Sequence, residues 1–377
     1  MRVLHLYSDY RWTGPAEPTV SLVQALQRKG LDVRFACSDR SAKDHKRIAC
    51  RAADLGVAAI TDFKLSRYGR PDHLARDLIG LGQYLRNERI DVLHTHLSHD
   101  HVLGGLAAWM GKRPIRVVRT NHKARALRAG MGSRWLFRIA CDAYLGFSDQ
   151  AARRDQRDLD LSEQNIHVIN TTIDLQRFSM RNGTARQSVR ASLGLESDDF
   201  VVVLVARMQR HRRFGLALEA LSLALTEAPQ LRLLILGKGT YRHTVVTEPA
   251  RRLGIADRVA MALEVRDYPQ TLRAMDTLLY LVPGSDGTCR AVREAMASGV
   301  PVMVSPRGFL SELVSHDHTG LICDETPQSL ADAMVRLVRD AELRRRLSRA
   351  AYEHAQSHFR IDDQAQAVAA VYEKLLA

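Results

Sequence analysis

The sequence predicts an α/β protein of two doubly wound domains, and three observations carry the prediction. Short apolar, β-branched runs alternate with longer stretches whose apolar residues recur at helical spacing, the pattern of parallel strands joined by crossover helices. At 377 residues the chain exceeds the roughly 250–300 residues at which a single core stops growing. A polar segment at 179–198, SMRNGTARQSVRASLGLESD, separates two halves that each show the alternation, and it reads as the linker.

In the first half the strand candidates are Arg2–Tyr7, Asp32–Cys37, Asp91–His96, Ile115–Thr120, Ala143–Phe147 and Ile166–Asn170. Between the first two, Trp12-Thr13-Gly14-Pro15 is a turn, followed by a helix near Thr19–Lys29 that Gly30 closes. His94, His96, His99 and His101 cluster in HTHLSHDH. Alternate strand positions followed by a loop rarely supply a closed ligand set, so no metal site is expected. The next strand ends Arg119-Thr120-Asn121-His122. Ligands sit at the carboxyl ends of strands in open α/β sheets, which makes His122 a candidate site residue beside the alternative of an exposed loop histidine. From Gly111 to Ala140 there are nine Lys/Arg and no acid, interleaved with Leu127, Met131, Trp135, Leu136, Phe137 and Ile139. This reads as a basic amphipathic helix, either lying on anionic lipid or turning its apolar face to the core.

The second half opens with Phe200–Ala206, a continuous apolar run of the buried parallel kind. It runs into Arg207-Met208-Gln209-Arg210-His211-Arg212-Arg213 before a helix at Leu216–Thr226. A basic loop between strand and helix suits phosphate, because guanidinium forks pair with phosphate oxygens and the helix N-terminus adds its dipole. A solubilising charge run is the alternative. Leu231–Leu236 leads into Gly237-Lys238-Gly239, and Arg258–Glu264 and Thr277–Val282 supply two more strands. Pro283 to Val304, PGSDGTCRAVREAMASGVPVMV, then reads as loop, short helix and strand. Two carboxylates bracket that unit, Asp286 in the loop and Glu294 in the helix. Such a pair can hold polyol hydroxyls beside a helix N-terminus that favours an anion such as diphosphate; a cap and a solvated charge is the plainer reading. Helices near Pro327–Asp340, Ala341–Ser357 and Asp362–Leu376 close the chain.

Five scattered cysteines form no Cys-x-x-Cys pair, so a reduced, cytosolic setting is expected, without a disulfide framework or zinc. The N-terminus enters a strand directly, so no signal peptide is expected, and no apolar run approaches the roughly 18 residues of a membrane span. The net charge of +13 is uneven: residues 1–180 hold 29 Lys/Arg against 19 Asp/Glu. That half points toward anionic lipid, nucleic acid or phosphorylated substrates.

The run Glu294-Ala295-Met296-Ala297-Ser298-Gly299-Val300-Pro301-Val302 resembles the donor-binding motif of retaining glycosyltransferases of the GT-B fold, family-4 type. There a Glu and seven intervening residues precede the Glu that opens the run; here Asp286 holds the place of the first Glu, one methylene shorter. Arg207 and Arg212 match the family's "GR…KG" arginine and lysine, with Ala206 and Arg213 replacing both glycines. The opening strand, loop and helix resemble the family's glycine-pair loop, with Pro15 in place of the second glycine. Ser305–Glu312 and His318–Leu321 match "GG…E" and "TGLL" features.

The resemblance implies two Rossmann-like domains facing a cleft: 1–180 for the acceptor, completed by the C-terminal helix 360–377, and 181–359 for the donor. It implies a nucleotide-sugar donor, UDP- or GDP-linked, with no separate cofactor and no metal. Arg207 and Arg212 would hold the diphosphate, Glu294 the ribose, Asp286 the transferred sugar and His122 the sugar and its phosphate. Gly14, Val265, Gly287 and Thr288 would line the donor site. A glycan or lipid-linked acceptor is expected, with an anionic membrane surface meeting 111–140 on the cytoplasmic face. No nucleic acid is expected, because no reader motif accompanies the charge. A glycoside hydrolase would place its two carboxylates about 5–10 Å apart across the sugar and need no phosphate clamp. A degenerate relative that binds nucleotide-sugar without turnover is the rival reading.

Overall fold

The computed structural model describes residues 1–12, 14–38, 47–65, 71–111, 114–123, 127, 129–179, 186–283 and 288–377. Among the described residues the chain forms two compact units, one from Met1–Thr172 with Thr288 and Ile361–Ala377, the other from 173–283 with Cys289–Arg360.

The first unit contains strands β1 (Arg2–Tyr7), β2 (Asp32–Cys37), β3 (Ala59–Ile60), β4 (Val92–Thr95), β5 (Arg116–Thr120), β6 (Ala143–Gly146) and β7 (Ile166–Val168). Its helices are α1 (Ala16–Arg28), α2 (Ile48–Asp54), α3 (Pro71–Asn87), α4 (Ser98–Trp109), α5 (Met131–Ile139) and α6 (Asp149–Leu159). The sheet is parallel throughout, in the order β3-β2-β1-β4-β5-β6-β7. The order reverses between β1 and β4, the switch point at which loops of an open sheet part and leave room for a ligand. The strands form because Val3, Leu4, Leu6, Val33, Phe35, Val92 and Val118 are buried on both faces of a helix-covered sheet.

The second unit contains α7 (Arg186–Ser192), β8 (Phe200–Val205), α8 (Phe214–Ala224), β9 (Leu231–Leu236), α9 (Glu248–Arg252), β10 (Val259–Ala262) and α10 (Tyr268–Arg273). It continues with β11 (Thr277–Tyr280), α11 (Arg290–Ala297), β12 (Val302–Val304), α12 (Leu310–Leu313), β13 (Leu321–Ile322), α13 (Pro327–Arg339) and α14 (Ala341–His358). Its sheet is also parallel, ordered β10-β9-β8-β11-β12-β13, with the switch between β8 and β11. The last helix, α15 (Ile361–Leu376), packs on α1, and Ala365, Val368, Val371 and Tyr372 join the core built by Val3, Tyr7 and Val20. Among the described residues no helix is long and apolar enough to cross a membrane.

Two expectations are corrected here. The basic stretch 111–140 is not one amphipathic helix: β5 occupies Arg116–Thr120, and only Met131–Ile139 is helical. Arg119 is buried inside the sheet layer rather than displayed, and Arg116 is tied to Asp142 and to the carbonyl of Leu375. On α5, Leu136 and Phe137 are buried while Met131 and Trp135 are exposed. Lys112, Arg113, Arg125 and Arg128 lie outside the described residues. Nor is 179–198 a plain linker, since it contains α7, whose Arg190 is fully buried. Its guanidinium donates to the carbonyls of Ala274 (2.9 Å) and Asp199 (2.7 Å) and to Asp276 Oδ2 (2.5 Å). Composition alone could not separate a solvated arginine from one serving as an internal tie.

Candidate active site

In the second unit the loops leaving β8 and β11 flank the switch point. The β8 loop is shaped from below by two glycines. A Cβ at Gly237 would lie 2.2 Å from the carbonyl oxygen of Ala206, and one at Gly239 would lie 2.4 Å from that of Met208. Met208 N in turn donates to Lys238 O at 3.0 Å. Only residues without a side chain let the β9 turn lie flat against residues 206–208, so Gly-x-Gly here positions Arg207 by backbone contact. Gly239→Ala is expected to displace that loop and lower the second unit's stability by about 1–3 kcal/mol, read as a lowered melting transition; an unchanged melt would refute the bracing role.

The four arginines of the loop divide their work. Arg213 pairs with Glu325 at 3.6 Å, and Arg210 stacks over Tyr241 at 5.0 Å. Arg212 Nη1 donates to the carbonyl of Val282 at 2.7 Å, tying the β8 loop to the chain leaving β11. Arg207 is exposed, and no hydrogen bond or ion pair to another described residue engages it. Arg213, where the family carries glycine, adopts φ +57°, the left-handed conformation glycine would take freely. The loop therefore keeps its glycine-type path at a cost of about 1–2 kcal/mol.

Beyond β11, Asp286 and Gly287 lie outside the described residues. Thr288 is buried immediately before α11. Cys289 caps that helix with φ +52°, a second non-glycine residue held left-handed at the site. Val292, Ala295 and Met296 anchor α11 in the core and turn Glu294 into a nearly closed position, with its side chain 4% exposed. Arg290 Nε donates to Glu294 Oε1 at 2.7 Å. Burial and the neighbouring Glu294 carboxylate push the Tyr268 phenol well above its ordinary range. Tyr268 gave no signal in sequence because only the fold brings α10 to α11. Val265 sits half-buried in the loop before α10.

In the first unit His122 follows β5 and is buried, which overturns the alternative of an exposed loop histidine. Its Nε2 lies 3.0 Å from His96 Nδ1 and 3.5 Å from Thr19 Oγ1. His122 and Thr19 line a small recess with Pro18, His96, Thr120 and Phe147. Gly14 forms the turn into α1 with Pro15, which stands at the N-cap. Asp100, at the start of α4, accepts from the backbone N–H groups of Ser8 (2.7 Å), His96 (3.1 Å) and Leu97 (2.7 Å) and so locks the ends of β1 and β4 together. Burial raises its carboxyl to about 6 despite those donors. Burial, then Arg119, lowers His122 to about 3, and burial lowers His5 to about 3.

Among the described residues, His5, His94 and His96 bring ligand nitrogens within 4.8 Å of one another. Those nitrogens already pair. His5 Nδ1 lies 3.0 Å from His96 Nε2, and His94 is held by Tyr372 at 2.5 Å and Thr120 at 2.6 Å. Two imidazoles on one tetrahedral zinc would hold their nitrogens about 3.3 Å apart and aim both lone pairs at the metal. The pairs here face each other, as hydrogen bonds do. His5 was invisible as a partner in sequence: parallel pairing of β1 with β4 sets it beside His94.

The family description "Glycosyl transferases group 1" matches residues 185–354, and "Glycosyltransferase Family 4" matches residues 14–177. A D-inositol 3-phosphate glycosyltransferase of Xylanimonas cellulosilytica is 30% identical over 307 residues, covering 75% of this chain and 71% of that protein. The lipopolysaccharide core biosynthesis mannosyltransferase LpsB of Rhizobium meliloti is 27% identical over 309 residues, covering 80% and 84%. In fold, a glycosyltransferase of Rickettsia africae superposes with TM-score 0.86 at 14% identity, covering 100% of this chain and 98% of that one. Anabaena Alr3699/HepE, solved in complex with UDP, does so with TM-score 0.80 at 18% identity, covering 99% and 100%. The two family matches, the 30% identical relative and the shared architecture of two parallel sheets agree, and the chain belongs to the family-4-type glycosyltransferases of the GT-B fold.

Proposed function

We propose that the protein transfers a hexose from a UDP- or GDP-linked donor to a glycan or lipid-linked acceptor of envelope polysaccharide or glycolipid, with retention of anomeric configuration. The observation that carries this reading is the Arg212–Val282 tie, which joins the basic loop of β8 to the chain entering α11 on one side of the sheet switch. The exposed guanidinium of Arg207 stands in the loop that leaves β8, and the buried carboxylate of Glu294 stands in the helix that follows the adjacent strand β11. As the anomeric C–O bond breaks, negative charge grows on the leaving diphosphate. Arg207, Arg212 and the N-terminus of α11 neutralise it, with no metal ion in the scheme. Glu294 accepts hydrogen bonds from the ribose and is held in the required rotamer by Arg290; Asp286 does the same for the sugar. Retention follows from front-face attack, in which the leaving phosphate takes the acceptor's proton and no side-chain base is required.

The test is thermal stabilisation of the purified protein by UDP-, GDP-, ADP- and TDP-sugars. A donor at about 100 times its dissociation constant stabilises by roughly 2.7 kcal/mol. One donor is expected to shift the wild type, and Glu294→Gln to weaken its binding about 10- to 150-fold, the worth of one charge-assisted hydrogen bond. Stabilisation without turnover would favour the degenerate reading, and stabilisation by nucleic acid alone would refute the assignment.

A further inference from the structure

The imidazoles of the first unit form a chain with a direction. From His122 Nε2 it runs to His96 Nδ1 (3.0 Å), from His96 Nε2 to His5 Nδ1 (3.0 Å), and from His5 Nε2 to the Tyr372 hydroxyl (3.1 Å). The same hydroxyl reaches His94 Nδ1 (2.5 Å), and His94 Nε2 reaches Thr120 Oγ1 (2.6 Å). A neutral imidazole carries one N–H and one lone pair, so a chain with one proton per link has two solutions. Either all four rings are protonated at Nε2, or all four are protonated at Nδ1.

Two observations choose between them. The Thr19 hydroxyl donates to the Pro15 carbonyl at 2.8 Å, which leaves Thr19 Oγ1 an acceptor toward His122 Nε2. A proton on Nε2 makes that contact attractive, whereas a lone pair there would oppose it. Independently, His122 Nδ1 is buried with no hydrogen-bond partner among the described residues. A proton on Nδ1 would be a buried, unsatisfied N–H, which proteins avoid more strictly than a bare lone pair.

We propose that Thr19, His96, His5, Tyr372 and His94 are positioning residues that hold His122 as the neutral Nε2–H tautomer, with an acceptor lone pair at Nδ1. His122 then takes a hydrogen bond from a sugar hydroxyl and cannot donate one to a phosphate oxygen. That consequence rests on the reading of His122 as substrate-facing; the tautomer itself does not. The charged groups around the chain oppose an imidazolium: Arg119 lies buried beside it, and Asp100 is occupied by three backbone N–H groups. Tyr372 has a specific part. Its hydroxyl accepts from His5 and donates to His94, and without it the Nε2–H solution also leaves one buried N–H unsatisfied, at His5. The two solutions then come close to balance.

The experiment is two-bond 15N–1H correlation of histidine-labelled protein, with no substrate present. In the wild type, all four rings are expected to show a pyrrole-type Nε2 and a pyridine-type Nδ1 near neutral pH. In Tyr372→Phe, His122 is expected to shift toward an average of both tautomers, although the change is made three links away. Thr19→Val, a milder substitution, is expected to move His122 the same way and serves if the phenylalanine variant does not fold. An Nδ1–H signal on wild-type His122, or a His122 spectrum unmoved in both folded variants, overturns the proposal. Turnover is a separate arm: where it is measurable, it should fall about twofold or more in step with the lost Nε2–H fraction. A wild type without transferase activity but with the expected spectra would refute the functional reading and leave the chain standing.

Discussion

Acidification from about pH 7.5 to about pH 5 is expected to unfold the first unit, at a cost of about 6 kcal/mol or more. Five histidines of that unit are buried and neutral: His5, His94, His96, His101 and His122. Burial lowers His5, His101 and His122 to about 3, and His94 and His96 fall well below their ordinary value. Because the folded pKa values are depressed, the unfolded chain binds protons that the folded one refuses. The stability is fully present above about 6.5 and is lost as pH falls through the window from there to about 3. At about pH 5 His5, His101 and His122 each forfeit about 2 kcal/mol, and His94 and His96 add in the same direction, a total that reaches into the 5–15 kcal/mol that holds a whole domain. Asp100 acts in the opposite sense: its folded pKa is raised to about 6, so protonation below that favours the native state. It returns only about 1 kcal/mol at about pH 5. Calorimetry at three pH values should show the first unit's transition falling steeply while the second unit's moves less. A transition flat between those limits would contradict the neutral, buried state of these rings.

The second unit is expected to lose about 3–5 kcal/mol on Asp276→Ala, the cost of leaving a buried charge uncompensated. Asp276 accepts from Arg190 at 2.5 Å, from Arg186 at 2.6 Å and from the backbone N–H of Val201 at 2.7 Å. Arg190 cannot withdraw to solvent, because its side chain is 2% exposed and its other nitrogens are spent on the carbonyls at the ends of β8 and α10. Replacing both partners, as Arg190→Met with Asp276→Leu, should recover only part of the loss, since it removes the orphaned charge but leaves the carbonyls of Ala274 and Asp199 and the N–H of Val201 without these partners. Urea denaturation measures both variants. A loss under about 1 kcal/mol for Asp276→Ala would mean the guanidinium is satisfied by carbonyls alone.

Where one physical signal decided the structure, sequence was sufficient. The runs Arg2–Tyr7, Asp32–Cys37 and Leu231–Leu236 became strands with those bounds, because strands buried on both faces need an unbroken apolar register and polar or glycine residues end it. The pair Ala59–Ile60 joined the sheet edge without any such run. Residues 111–140 misled because counting cations over the whole stretch took in a strand legible at Ile115–Thr120, where the sheet draws Arg119 inward. The loop position of Arg207 and the helix position of Glu294 could be read from local spacing, since each depends on its own strand–loop–helix unit. Tyr268, Thr19, His5 and Tyr372 could not, because their partners lie far along the chain and meet only through sheet pairing and helix docking. Gly237 and Gly239 were visible as turn residues; that they exist to let backbone touch backbone needed the second strand in place.

Helix α15 sets the order in which the chain can finish folding. Its Val368, Val371 and Tyr372 cover a face of the first sheet whose last strand ends at Val168. During synthesis at about 5–20 residues per second, the roughly 190 intervening residues take about 10–40 s to emerge. For that interval the face carrying His5 and His94 has no lid and no phenol, while everything the second unit needs is already being delivered. The unit translated first is thus the one completed last, and a ribosome stalled late releases a chain whose sticky surface lies at its beginning.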